Sequence, residues 1–545
     1  MKSLFLLGAL LCVVACGGNR EKTTFDPTHL RGAAPVDEHP RTGGTFVWGR
    51  SGDAKKLDPA LVSDGESVMV LTNLFETLVT FAPGTTKLVP GLATEWDRSA
   101  DGLVWTFKLR RGVTFHDGSP FNADAVVFTF ERQMRSDHPA RRPEDAFGTF
   151  ASYFGRLKSV AKVDDFTVTF TLSRPYGPFL DAMSLYCVGI VSPAAFASRG
   201  KDADGRYRYD FASHPVGTGP FRFKSWQRDV QIVLEANEHY WQGRPYLDRV
   251  VFRPIANPQA RLKELEAGGI QGMDNPDLID LASIHANPDL RLLGQEGLNV
   301  CYLAMHTLKK PFDDPRVRRA VAFSIDKRRL IQAAFNSTAD PAVTMCPAAM
   351  RMHAPLVDRR PDLRRARRLL AEAGYPDGFE TSLWYGSAQR AYLPNPGDTA
   401  IQIREDLKQV GIQVKLRKLE WTAYLAAVQS GQHEMCLLGW MADHGDPDGF
   451  LYVLLDKTNA RVGSADNVSF YQGGRVHTLL EKARSVYDQG LRERLYREVQ
   501  EIVFRDAPVL PLASVRDFRV LRREVRGYRI YPAGGEYFGR VSLAK

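Results

Sequence analysis

Acidic side chains gather in one short segment of the C-terminal part of the chain, residues 443–449. Three carboxylates at this spacing could serve as the paired acids of a glycosidase or as metal ligands. An EF-hand loop is excluded, because with Gly449 at its glycine position a leucine would replace the last carboxylate ligand. Asp, Pro and Gly are also the residues that turns favour, so a plain turn is the simpler interpretation. A hydrolase using Asp443, Asp446 and Asp448 remains a remote alternative.

Short motifs typical of enzymes are missing elsewhere. The sequence has no H-E-x-x-H, no G-x-S-x-G and no P-loop. Gly217-Thr218-Gly219 could begin a dinucleotide-binding loop, but Pro220 and Arg222 follow where that loop needs glycine. We interpret it as a backbone turn. The sequence therefore predicts no enzyme, with no catalytic residue, no metal site and no cofactor.

The N-terminus carries an export signal. An apolar run from Leu4 to Val14 follows Lys2 and leads into Val13-Val14-Ala15-Cys16. Small residues before a cysteine are typical of a lipobox, in which the thiol receives a lipid and the preceding peptide is removed. The run of 11 apolar residues is shorter than the roughly 20 that span a bilayer. We therefore expect a signal peptide over 1–16 and a protein anchored through Cys16, in the periplasm or at the cell surface.

The segment after the lipobox is polar, with scattered Pro and Gly. Residues 17–44 cannot bury enough apolar surface to order themselves, so we expect a flexible tether. The body of about 500 residues is too large for a single core, so two or three domains are expected. Four cysteines remain in the body without a C-x-x-C motif, and the sequence alone cannot pair them. They are Cys187, Cys301, Cys346 and Cys436.

The net charge of +9 could suggest a nucleic-acid partner, but the export signal argues against one. The arginine-rich stretch 359–368 has a simpler explanation. Apolar residues recur at helical spacing around it, which places its arginines on the solvated side of an amphipathic helix.

Strands dominate the first half of the body, whereas helices and strands alternate in the second half. Alternation of apolar and polar residues indicates half-buried strands, and Asp-Pro or Gly punctuation marks the ends of helices. The predicted segments are strands over 103–109, 166–172 and 412–416 and helices over 314–331, 362–374 and 399–410. This βα alternation favours α/β lobes rather than a sandwich.

Several long segments, in the right order, resemble the signature of the family 5 solute-binding proteins of ABC importers. They are 93–102, 105–118, 215–221, 314–331, Gly439-Trp440 and 445–448. The resemblance covers nearly the whole chain after residue 44, and within the family it is strongest to the dipeptide-binding members. It implies an α/β fold of two lobes with an extra domain inserted in the first lobe.

The resemblance also implies a domain organisation, with crossovers between the lobes near 297–303 and 511–519. The expected divisions are 45–78 as the first part of lobe 1, 79–214 as the inserted domain, 215–299 as the second part of lobe 1, 300–514 as lobe 2 and 515–545 as a return to lobe 1.

The resemblance implies that two segments supply the residues that bind the ligand. Arg390 lies in a segment similar to one whose arginine pairs with the peptide's carboxylate, and Asp443 lies in one whose aspartate pairs with its α-amino group. A guanidinium can grip a carboxylate through two hydrogen bonds, and an aspartate can accept from an ammonium. The peptide backbone would meet strand-like main chain at Gly439, Trp440 and Met441. The expected walls are Trp440 and Tyr392, with Tyr153 or Phe154.

Together these features predict a monomer that binds short peptides and delivers them to an ABC permease and its ATPase, and the resemblance implies dipeptides. Relatives in the family carry haem, nickel complexes, glutathione or oligosaccharides, and these remain alternative ligands. Only the pair Arg390 and Asp443 argues against them.

Overall fold

Three sheets carry the fold in the computed structural model, which describes residues 26–544. The predicted signal peptide and Cys16 lie outside the described residues, as do residues 17–25 of the predicted tether. The largest sheet has seven strands. In spatial order they are Leu290–Gln295, Asp517–Arg522, Gly272–Asp274, Thr45–Arg50, Arg249–Pro254, Gln231–Ala236 and Phe221–Gln227. We call the part of the chain built on this sheet lobe 1.

A second sheet of six strands forms the centre of lobe 2. In order these are Ala339–Pro341, Val509–Val515, Asn299–Met305, Met435–Met441, Glu380–Gly386 and Gln413–Leu419. Both faces of this sheet are covered. Alternate residues of its third strand enter two different apolar clusters, with Leu303 in one and Tyr302 in the other. The strand therefore reads as continuously buried rather than alternating, as expected between two helical layers.

A third sheet of four antiparallel strands belongs to the segment inserted in lobe 1. Its strands, in spatial order, are Ala93–Arg98, Val104–Leu109, Thr167–Leu172 and Leu157–Asp164. The predicted strands 103–109 and 166–172 are its two central members. Two small hairpins complete the strands of the described residues. They pair Val79–Phe81 with Leu88–Pro90 and Val525–Arg526 with Ser542–Leu543.

The chain passes between the two large sheets at two places. It leaves lobe 1 after Gln295 and enters lobe 2 at Asn299, and it returns between Val515 and Asp517. Both passages overlap the segments expected as crossovers. The mixed α/β architecture with two large sheets matches the predicted fold class.

Helices cover these sheets, and the predicted helices are present with one correction. The α-helices are Gly65–Leu74, Ala123–Met134, Gly148–Phe154, Phe179–Ala182, Pro193–Ala197, Pro258–Glu266, Leu281–Ala286, Pro315–Ser324, Lys327–Ala334, Leu363–Glu372, Pro396–Lys408, Trp421–Gln429, Asp448–Leu455, Gly474–Ser485 and Gln489–Asp506. The single helix predicted over 314–331 is wrong. Ile325 is extended, and Asp326 starts a second helix by accepting the backbone N–H groups of Arg328 and Arg329.

The predicted tether ends earlier than residue 44. Ala34 is buried and donates its N–H to the carbonyl of Tyr528, while Gly527 donates to Pro35, both at 2.8 Å. Ile530 donates to Gly32 in the same way, at 2.7 Å. Backbone pairing does not require apolar side chains, so the polar composition of this stretch did not reveal it.

The four body cysteines are all buried, and none forms a disulfide. Burial raises the pKa of each of these thiols, which disfavours the reactive thiolate. No helix within residues 26–544 combines the length and apolar character needed to cross a membrane.

Candidate functional site

The strand Met435–Met441 has an open edge toward its carboxyl end. It pairs with Asn299–Met305 along its whole length. On its other side, the parallel strand Glu380–Gly386 pairs only with its first two residues. The second half of the strand therefore has a pairing partner on one side only among the described strands.

The backbone polar groups of Gly439 and Met441 point toward this open edge. Ala442 donates its N–H to the carbonyl of Leu298 at 2.8 Å, which fixes that pair as hydrogen-bonded. Antiparallel residues alternate between hydrogen-bonded and non-hydrogen-bonded pairs. Gly439 and Met441 are thus the residues whose N–H and C=O groups turn away from the partner strand.

Tyr392 lies directly against Gly439. A Cβ atom added at Gly439 would lie 2.1 Å from Cδ2 of Tyr392, far inside a van der Waals contact. The glycine therefore lets the aromatic ring reach the strand backbone. Burial raises the pKa of the Tyr392 hydroxyl, so it stays neutral.

Arg390 is held by stacking rather than by an ion pair. Its guanidinium carbon lies 3.7 Å from the centroid of the Trp421 ring. Its Nε atom is buried without a hydrogen-bond partner, and no described carboxylate pairs with it. Its backbone bridges to Leu393, which closes the turn that carries it. A stacked guanidinium without a counter-charge is suited to binding an anion.

Asp443 meets a residue from the inserted segment. The hydroxyl of Tyr153 donates to Oδ2 of Asp443 at 2.5 Å. Tyr153 is buried, and its ring packs edge-on against His444 with 5.1 Å between centroids. Burial and the nearby carboxylate both raise the pKa of Tyr153, which keeps it as a donor. No described cation forms an ion pair with Asp443.

The other residues expected to form the walls differ in their burial and contacts. Trp440 is half-buried, and its indole Nε1 has no hydrogen-bond partner, whereas the side chain of Met441 is 44% exposed. Phe154 is not a wall residue. Its ring stacks on Phe150 at 4.7 Å and meets Phe130 at 5.7 Å, inside the core of the inserted segment. The hydroxyl of Tyr153 has a polar partner, and Phe154 has no such group.

A cavity of about 240 Å³ lies against Asp443. Lobe 1 and the inserted segment supply its other walls, among them Phe75, Glu76, Tyr186 and Tyr537. The remaining predicted site residues do not line it. Tyr392 and Gly439 are thus in contact with each other. Asp443 lies four residues after Gly439, at the wall of a cavity that neither of them lines.

Glu76 in this cavity was missed by the sequence analysis. Its carboxylate accepts from the hydroxyls of Tyr240 and Thr218, both at 2.8 Å, and from the indole N–H of Trp241 at 3.0 Å. Burial raises the pKa of Glu76 to about 7, and these three donors only partly offset that effect. An acid inside the apolar run Leu74 to Val79 was the available signal.

Asp446 and Asp448 are held by arginines. Arg492 binds both oxygens of Asp446, at 2.6 and 2.8 Å, and both side chains are fully buried. Burial alone would raise the pKa of Asp446, but Arg492 outweighs it and lowers the pKa to about 2. Arg484 lies 3.1 Å from Asp448. These contacts give the two acids a structural role in the turn after the strand.

Comparisons with known proteins agree with this architecture. Residues 87–461 match the family model described as "Bacterial extracellular solute-binding proteins, family 5 Middle". The chain is 34% identical to Heme-binding protein A of Haemophilus influenzae, covering 99% of this chain and 98% of that protein. It is 33% identical to the Dipeptide-binding protein of Escherichia coli, over 92% of this chain and 94% of that one.

A solved structure shows the same fold. The periplasmic binding protein DppA from Helicobacter pylori, in complex with the peptide STSA, is 36% identical and superposes with a TM-score of 0.77. The match covers 93% of this chain and 99% of that one. The chain therefore belongs to the family 5 bacterial extracellular solute-binding proteins.

Proposed function

We propose that the protein binds short peptides between its two lobes and presents them to an ABC permease and its ATPase. The observation that carries this proposal is a pair of opposite charges near an open strand edge. Arg390 lies two residues before Tyr392, which contacts Gly439, and Asp443 lies two residues after Met441. Neither forms an ion pair with a described residue. A free peptide has the matching features, which are a carboxylate, an ammonium and unpaired backbone groups between them.

Asp443 is proposed to bind the ammonium of the peptide. The hydrogen bond from Tyr153 orients one carboxylate oxygen and leaves the other as an acceptor. Arg390 is proposed to bind the peptide carboxylate, since its stacking on Trp421 presents the planar fork that two parallel hydrogen bonds need.

The open edge at Gly439 and Met441 is proposed to pair with the peptide backbone. Added-strand pairing uses main-chain groups only, so it accepts many side chains. Gly439 to Asp443 spans four residues, or at most about 13 Å of extended chain. That length suits a ligand of a few residues, and we propose that Arg390 and Asp443 at its two termini select for peptide length.

Two relatives support peptides as the ligand, but they do not fix the length of the peptide. One relative is named a dipeptide-binding protein, and another has been solved with the four-residue peptide STSA. We propose dipeptides as the first ligands to test. The protein is proposed to release its ligand unchanged, as expected of a solute-binding protein and not of a hydrolase.

Haem is the second candidate. A relative named for haem binding matches nearly the full length of this chain. The described residues contain no group of three or more His, Cys, Asp or Glu side chains that could hold a metal ion. Nickel complexes, glutathione and oligosaccharides have no specific observation in their favour.

The proposal is tested by identifying the ligand that the protein binds. The protein should be purified, denatured, and its released small molecules identified by mass spectrometry, with calorimetry of the stripped protein against Ala-Ala and haem. Release of peptides and saturable binding of Ala-Ala support the proposal. Binding of haem with no response to any short peptide would replace it.

We also propose the lipid anchor at Cys16 and the domain divisions predicted from the sequence. Cys16→Ser should remain an unprocessed precursor without lipid. Metabolic labelling with a fatty-acid analogue tests this. Cys346→Ser is the control, because it removes a buried thiol, keeps Cys16 and should therefore be labelled like the wild type. Equal label in the wild type and the Cys16 variant would refute the anchor.

A further inference from the structure

The cavity beside Asp443 lies at the amino end of the proposed peptide. Asp443 is part of its wall, whereas Arg390, Tyr392 and Gly439 are not. A peptide whose ammonium binds Asp443 would therefore have the side chain of its first residue at the cavity mouth. This inference rests on the proposed function and concerns which peptides are preferred.

The charges that line the cavity are mainly negative. Its titratable acids are Asp443 and Glu76, and its one cation among the described lining residues is Arg540, which is exposed. The donors to Glu76 are three neutral groups, and no described cation forms an ion pair with it. Arg110 stacks on the Trp241 ring at 4.0 Å and forms no ion pair with the carboxylate, and its charge lowers the pKa of Glu76 less than the three hydrogen bonds do.

The rest of the wall is aromatic and aliphatic. Phe75, Phe81 and Tyr186 contribute rings, and Tyr531 and Tyr537 form a tilted pair with 5.9 Å between centroids. Aromatic faces attract cations, and the attraction grows where water is excluded. Rings around a carboxylate form a surface that favours a long apolar stem ending in a positive charge.

We propose that this cavity takes the basic side chain of the ligand's first residue, so that peptides beginning with Lys or Arg are preferred. The methylene stem would lie against the rings, and the cationic end would pair with Glu76. An apolar side chain would fill the same space without compensating that carboxylate.

The raised pKa of Glu76 is consistent with this assignment, because burial of the carboxylate outweighs its three hydrogen bonds and the charge of Arg110, so the group holds its proton to higher pH. Near neutral pH, a bound cation would draw the group to its ionised form. Binding of a basic peptide should therefore release protons, and binding of an apolar peptide should not.

The test compares ligands that differ only in charge. Calorimetry should be run near pH 7.5 with Lys-Ala, norleucine-Ala, Glu-Ala and Ala-Ala. Lys-Ala is expected to bind at least about tenfold tighter than norleucine-Ala, which has the same stem without the ammonium. Glu-Ala should be the weakest. Equal or tighter binding of norleucine-Ala overturns the inference while leaving peptide binding intact, whereas no binding of any dipeptide would overturn the proposed function itself.

Variants locate the preference. Glu76→Gln should bring the Lys-Ala to norleucine-Ala affinity ratio close to one. Tyr531→Leu removes a ring whose hydroxyl bonds no described residue, so it should lower the ratio while leaving the three direct donors to Glu76 in place. Glu405→Gln, an exposed acid on the helix Pro396–Lys408, is the matched control and should keep the wild-type ratio. A ratio unchanged in both cavity variants would refute the assignment even if Lys-Ala binds best.

Discussion

The contact between Gly439 and Tyr392 allows a sharp prediction. Gly439→Ala would place its Cβ 2.1 Å from Cδ2 of Tyr392, whereas carbon atoms in contact prefer about 3.5 to 4.0 Å. Either the ring or the strand edge must therefore move by roughly 1.4 Å or more. Overpacking of this kind typically costs about 1 to 3 kcal/mol.

We expect Gly439→Ala to lower the free energy of unfolding by that amount and to weaken Ala-Ala binding, because the same backbone is proposed to pair with the peptide. Chemical denaturation and calorimetry measure the two effects. Gly397→Ala is the matched control, since no atom lies within 4 Å of its added Cβ. On a Tyr392→Ala background, Gly439→Ala should cost much less free energy of unfolding than it does in the wild type. A Gly439→Ala variant as stable as the wild type, or the same cost on both backgrounds, would refute the packing argument.

The other predictions concern charge and motion. Asp446→Ala leaves Arg492 buried without its partner and should destabilise the fold by about 3 to 5 kcal/mol in denaturant melts; a loss below about 1 kcal/mol would contradict a structural role. The pKa of Glu76 is raised from 4.5 to about 7, so the folded state holds the proton more strongly than the unfolded one. The stability of the wild type relative to Glu76→Gln should thus fall as pH rises from about 4.5 to 7, by at most about 3 kcal/mol; a difference that rises or stays flat would contradict the shift. A saturating dipeptide should reduce the radius of gyration in small-angle scattering, because a peptide bound to Asp443 of lobe 2 would also meet the cavity walls that lobe 1 supplies, and such a ligand favours the closed state. An unchanged radius despite confirmed binding would place the whole site on one lobe.

Local sequence signals located five single strands and helices of the described residues. The alternation in 103–109 and 166–172 identified two strands, and Asp-Pro at 314 marked the start of a helix. The break at Ile325 was missed, because the apolar positions keep helical spacing across it. There the side chain of Asp326 caps the start of a new helix, although the apolar spacing continues across the break.

The site was predicted only in part, because its contacts join distant segments. Asp443 and Arg390 are proposed through resemblance, and nothing local shows that Tyr153 meets Asp443 across 290 residues. The carboxylate of Glu76 accepts hydrogen bonds from three donors in other segments. The sequence around Glu76 therefore could not show whether this acid is buried or exposed. The order of residues 32–35 arises from backbone pairing with 527–530, which leaves no pattern in the side chains.

The central claim is that the two ends of a peptide pair with Asp443 and Arg390, and the most direct measurement is calorimetry on free and capped dipeptides. Acetyl-Ala-Ala lacks the ammonium, and Ala-Ala-amide lacks the carboxylate. Each should bind at least about a hundredfold more weakly than Ala-Ala, because a broken buried pair costs about 3 to 5 kcal/mol. Asp443→Asn should remove most of the penalty for acetylation, and Arg390→Ala most of that for amidation. If the capped dipeptides bind wild-type protein as tightly as the free one, pairing of the termini is wrong.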